Sequence, residues 1–66
     1  MSNKIIRLPE VIKVTGLSRS TIYLRMSKGD FPKSISLSER AVGWLETDVD
    51  DWIKACVIAS REATNE

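Results

Sequence analysis

No histidine occurs in these 66 residues, which removes the usual proton shuttle and the commonest metal ligand. Cysteine is nearly absent too. The single Cys56 can build neither an internal disulfide nor a cysteine metal cage, a usage that fits a reducing cytoplasm. Long hydrophobic runs are missing: the longest, Ala55 to Ala59, is far short of a membrane span. Near the start, Lys4 and Arg7 bracket only Ile5 and Ile6, so no signal-peptide core is expected. There is no internal repeat, no low-complexity stretch and no linker. A 7.4 kDa chain is one domain at most, residues 1–66, and buries only about 60% of its unfolded surface. That leaves little room for an enclosed substrate pocket. The expectation is therefore no enzyme, no cofactor, no metal, no small-molecule substrate and no membrane partner.

What is present is charge, unevenly spread. The total is only +1. Residues 1–28 carry Lys4, Arg7, Lys13, Arg19, Arg25 and Lys28 against Glu10 alone. Residues 46–66 carry Glu46, Asp48, Asp50, Asp51, Glu62 and Glu66 against Lys54 and Arg61. A basic first half and an acidic last half give a dipole that orients the molecule toward a polyanion.

Glycines and prolines divide the chain into short elements. Pro9 suits the first position of a helix, Val11, Ile12 and Val14 supply its apolar face, and Gly16 ends it. Ser18 is an N-cap candidate that accepts from Ser20 or Thr21. A second helix is expected from Arg19 to about Lys28, with Ile22 and Met26 inward and Gly29 as its stop. Two short helices joined by Gly16-Leu17-Ser18 have the form of a helix-turn-helix. After Pro32, Ser34 to Leu37 alternates with period two, and Val42 to Leu45 reads as its return strand. Ser38 to Ala41 links the two. Ile5 to Arg7 offers a third short strand. Thr47 is expected to cap a third helix whose first turn holds Asp48, Asp50 and Asp51, carboxylates that complement the helix dipole. Val49, Trp52, Ile53, Cys56 and Val57 recur at helical spacing as one buried stripe, and Trp44 and Trp52 are assigned to the core. The fold class is mainly α with a small β-hairpin, a winged helix-turn-helix.

On a helical wheel with Ile22 inward, Ser20, Leu24 and Ser27 point away, while Thr21, Tyr23 and Lys28 sit on the outward flanks. Helix-turn-helix proteins read base edges with the start of the second helix. Arg19, Ser20, Thr21 and Tyr23 are thus the expected readers, and Arg25 and Lys28 the phosphate contacts. Arg can donate two hydrogen bonds to guanine, Thr can touch a thymine methyl, and hydroxyls suit phosphate oxygens. Ser18 is a cap first and a phosphate ligand second. Arg25 has a structural alternative, an ion pair with an acid such as Glu46. Arg40, in the hairpin link, is placed to reach phosphate or the minor groove, or else is a solvated turn charge.

Four blocks in register resemble the AlpA family of small prophage transcriptional regulators, related to excisionases and to the DNA-binding heads of MerR-type regulators. They are Thr15 through Tyr23, then Gly29-x-Phe31-Pro32-Lys33, then Arg40-x-Val42-Gly43-Trp44, then Val49-x-x-Trp52-Ile53. The resemblance covers roughly residues 4–60. It implies a winged helix-turn-helix on double-stranded DNA at a promoter, with the recognition role on Ser18, Arg19, Ser20, Thr21 and Tyr23 and the wing role on Arg40. One departure stands out. The family more often has a basic residue directly after the tyrosine, whereas here Leu24 precedes Arg25.

The leading expectation is a sequence-specific DNA-binding transcriptional regulator of prophage or genomic-island genes, cytoplasmic and nucleoid-associated. The alternatives are a recombination directionality factor acting with an integrase at attachment-site DNA, and a protein-interaction module without a DNA role. Ile58 points away from the stripe of the third helix; with the Glu62–Glu66 tail it is a candidate contact to a second copy or another partner, such as an integrase, on DNA.

Overall fold

The computed structural model describes residues 4–63. Six elements follow in order: β1 (Ile5–Ile6), α1 (Leu8–Thr15), α2 (Arg19–Ser27), β2 (Ile35–Ser36), β3 (Val42–Leu45) and α3 (Glu46–Ala63). The strands form one antiparallel sheet in the order β1-β3-β2. Three helices around a hairpin and a short first strand make a winged helix-turn-helix.

Local chemistry sets the helix ends. Arg7 is extended, and its carbonyl accepts from Glu10 and Val11 at 3.0 Å, so α1 starts one residue before Pro9 without a side-chain cap. Gly16 adopts φ 75° and donates to the Ile12 carbonyl at 2.8 Å. Thr15 Oγ1 donates to Val11 and accepts from the Leu17 N–H, which secures the turn between helices. α2 opens on the expected cap: the Ser18 hydroxyl accepts from the Thr21 N–H at 3.2 Å. It closes on a Schellman motif, with Gly29 N–H bonding Met26 and Asp30 N–H bonding Arg25. Only a residue at ease with φ 74° ends the helix there, which is why Gly29 stops it.

Val11, Ile22, Phe31, Trp44, Val49 and Ile6 form the core, one residue from each element except β2, with Phe31 from the segment between α2 and β2. Trp44 is fully buried, and its indole N–H donates to the Pro32 carbonyl at 3.1 Å. Burying such a side chain is worth about 1.5–3 kcal/mol, so these few residues dominate the stability. β3 lies between β1 and β2, and Gly43 sits at its tightest point. A Cβ there would collide with the Ile5 side chain and stand 3.1 Å from the Ile6 carbonyl and 3.3 Å from Leu37. The glycine permits the three strands to close.

Several expectations are corrected. Val14 is exposed rather than on the apolar face of α1, because the helix packs through Val11 and Ile12 on one side only. Arg7 is not in β1, being drawn off as the α1 cap position. Thr47 does not cap α3. The Glu46 N–H donates to the Lys4 carbonyl at 2.8 Å, so β3 runs directly into the helix and Thr47 already lies within it. The stripe on α3 also ends early. Val49 is buried and Trp52 and Ile53 are partly buried, but Cys56 and Val57 are exposed because the body ends below them. Trp52 is a rim residue rather than a core one. Residues 64–66 of the acidic tail lie outside the described residues.

Candidate nucleic-acid interface

The first turns of α2 bring together five of the expected residues. Ser18, Arg19, Ser20 and Tyr23 are exposed, and Thr21 is half-buried beside them. The Ser18 hydroxyl donates to Thr21 Oγ1 at 2.9 Å while accepting from the Thr21 N–H. Both of its hydrogen-bonding functions are thereby used in the cap. The Arg19 guanidinium lies over the Tyr23 ring, 5.8 Å from its centroid. That contact pre-orders a long side chain and leaves all its N–H donors without a carboxylate partner among the described residues. No acidic residue occupies the first turn of α2, so nothing in that turn neutralises the positive end of the helix dipole.

The far end of the helix is wired differently. Arg25 pairs with Asp30, Nη1 to Oδ2 at 3.0 Å, and lies 5.9 Å from the Trp52 ring centroid. Trp52 in turn donates its indole N–H to the Asp30 carbonyl at 2.8 Å, and Phe31 packs edge-on against it at 4.8 Å. Arg25, Asp30 and Trp52 therefore clamp the end of α2 to α3. The ion pair expected with Glu46 is corrected: Glu46 stands 3.8 Å from Lys4 instead, held there by the β1–β3 ladder. The Arg25–Asp30 spacing is a by-product of the Schellman turn, which folds residue 30 back over residue 25, and a helical wheel that stops at Lys28 misses it. Lys28 is exposed and unpaired among the described residues.

Leu24, on the outward face between these two ends, is 54% exposed. Arg40 stands in the loop from Ser38 to Ala41, closed by the Leu37 N–H to Ala41 carbonyl bond at 2.8 Å. It is exposed, with no ion pair among the described residues. Glu39 precedes Arg40 in the same loop, and a group of acids lines a groove on another side. An open groove of about 600 Å³ runs between the Gly29–Pro32 segment and α3, with Phe31, Trp52 and Ala55 in its lining together with Asp30, Asp48 and Asp51. Its carboxylates repel a polyanion, and of them Asp30 also pairs with Arg25 of α2. No helix among the described residues is long and apolar enough to cross a membrane.

Comparison with known proteins places this arrangement. The family model described as prophage CP4-57 regulatory protein (AlpA) matches residues 4–57. The chain belongs to the AlpA family.

The match to the family runs from β1 through the exposed middle of α3, so every expected site residue falls inside it. Among curated relatives, the uncharacterized protein ORF88 of Enterobacteria phage P4 is 46% identical, over 76% of this chain and 57% of its own length. The DNA-binding transcriptional activator AlpA of Escherichia coli (strain K12) is 39% identical, over 76% of this chain and 80% of its own length. The chain thus spans little more than half of the first relative and four-fifths of the second.

Proposed function

We propose that this chain is a sequence-specific, DNA-binding transcriptional regulator of prophage or genomic-island genes, acting as one domain over residues 1–66. The start of α2 enters the major groove, and the hairpin β2–β3 lies beside it with Arg40 toward phosphate or the minor groove. Arg19 and Thr21 read base edges, Ser20 and Tyr23 contact bases or phosphate, and Lys28 contacts phosphate. Ser18 supports them as the cap. Arg25 contributes by holding α2 in place.

The observation that carries this reading is the Arg19–Tyr23 pair at a helix N-terminus with no acid in its first turn, on a face that no other element covers among the described residues. A pre-ordered guanidinium loses less freedom when it forms its two hydrogen bonds to guanine. The name of the Escherichia coli relative, a DNA-binding transcriptional activator, supports the same reading. The test is a footprint of the purified chain across its own gene's locus at two salt concentrations. The locus should include a neighbouring integrase promoter and attachment site. Protection of a promoter that weakens with salt is the expected result, with a log–log slope of about −4 to −5 for four to six phosphate contacts. Protection only within an attachment region would make the chain an excision factor that acts with an integrase. No protection at either salt would defeat the DNA reading.

A further inference from the structure

The outward row of α2 runs through Ser20, Leu24 and Ser27, which lie one above the other at i, i+4 and i+7. All three are exposed. Leu24 sits in the middle of that row, 54% exposed, and among the described large apolar side chains only Ile58 is more so. A single exposed leucine is ordinary on a protein surface. Its neighbours set this one apart. Every other exposed side chain of α2 and its two caps can hydrogen-bond: Ser18, Arg19, Ser20, Tyr23, Ser27 and Lys28. α2 contains no acid, so the face around Leu24 suits a polyanion. The Ser27 hydroxyl donates to the Leu24 carbonyl at 2.7 Å, so its one proton points back into the helix.

We propose that Leu24 makes α2 selective for thymine, its side chain packing on the C5-methyl group of a thymine in the major groove. The inference rests on the reading of α2 as the element that enters that groove. In that pose Leu24 shares the row of Ser20 and so lies over base edges, not over the phosphates that the flanks of the helix reach. The edges there present donors and acceptors, and the thymine methyl is the one alkyl group among them. A leucine can neither donate nor accept. Opposite guanine, adenine or cytosine it strips water from polar atoms without replacing their hydrogen bonds, which costs affinity. Opposite the methyl it buries apolar surface on both sides. Leu24 therefore selects by attraction to one base and by penalty at the others. The spacing along the helix sets the place. Leu24 is five residues beyond Arg19. At 1.5 Å per residue, a helix lying along the groove sets them about 7.5 Å apart, or about two base-pair steps. The thymine, on either strand, should thus lie within about three base pairs of the one that Arg19 contacts.

The test uses the full chain and the duplex that it protects in the footprint. Each thymine in turn is replaced by deoxyuridine, which lacks only the methyl. Affinity should fall about fourfold at one or two adjacent positions, the equivalent of one buried methyl. Leu24→Ala should abolish that preference for thymine over deoxyuridine, whereas Leu24→Met, which keeps an apolar side chain, should retain most of it. Neither variant should shift the thermal melt, because the side chain stands largely in solvent. Binding with no position sensitive to deoxyuridine overturns the proposal and leaves the DNA reading intact. Sensitivity that Leu24→Ala leaves unchanged overturns it as well and assigns the methyl contact to another side chain, of which Thr21 is the nearest in kind. A footprint with no protected duplex defeats the DNA reading itself, and the inference falls with it. The two failures are therefore read in different experiments.

Discussion

Arg19 and Arg25 stand six residues apart on one helix, and each lies over an aromatic ring at nearly the same distance, 5.8 and 5.9 Å. They do different work. Arg19 leans on Tyr23 of its own helix and has no carboxylate partner among the described residues, so its donors stay available. Arg25 leans on Trp52 of another helix and is paired with Asp30, so its charge is spent on holding α2 against α3. A cation over a ring is not by itself a binding residue. Whether an acid shares the site decides between a free probe and a clamp.

The largest effect removes the ground on which both arginines stand. Trp44→Ala should cost about 3–5 kcal/mol from the cavity it leaves. Natural domains hold roughly 0.05–0.15 kcal/mol per residue, so a chain of 66 residues should lose from about a third to all of its stability, and a thermal melt followed by circular dichroism should show a much lower midpoint. An unchanged melting temperature would mean that the core is shared more evenly than the burial of Trp44 implies.

Arg19→Ala comes next, and it bears on binding rather than folding. It should lower affinity for the preferred site by about 1–3 kcal/mol and flatten the ranking of sequences, with the melting temperature unchanged. Equal weakening on all sequences would make Arg19 a phosphate contact and erase its difference from Lys28. Lys28→Ala should itself weaken every sequence alike and reduce the salt slope by about one.

Ser18→Ala probes the support under Arg19. Loss of the cap should destabilise the fold by about 1 kcal/mol in a denaturant titration and lower DNA affinity less than Arg19→Ala does. The smallest effect belongs to the clamp. Arg25→Ala and Asp30→Ala should each cost less than about 1 kcal/mol of stability, as exposed ion pairs do, and a double-mutant cycle should find them coupled. If Asp30→Ala instead raised DNA affinity markedly, the pair would be masking a phosphate contact.

Much of the site was legible in the residues. Ser18 as cap, Gly16 and Gly29 as stops, and Ile22 with Met26 inward follow from local rules. Each depends on backbone groups within one turn of the residue concerned. The wheel around Ile22 therefore placed Ser20, Tyr23 and Leu24 outward correctly. The Asp30 partner of Arg25 escaped that wheel because the chain has already left the helix when Asp30 returns to it.

Local periodicity thus determined which segments become helix, where they stop, and which face of each turns inward. Only the tertiary structure decided how far that inward face stays covered. The apolar stripe of α3 continues through Cys56 and Val57 in sequence, but the body that buries it extends only to Ile53. Likewise Thr47 has the chemistry of a cap, but the β1 ladder already supplies an acceptor for the N–H of Glu46. Gly43 reads as punctuation until β1 and β2 close on both sides of it. In each case the deciding partner is distant in sequence, and burial is a property of what packs opposite, which no single segment encodes.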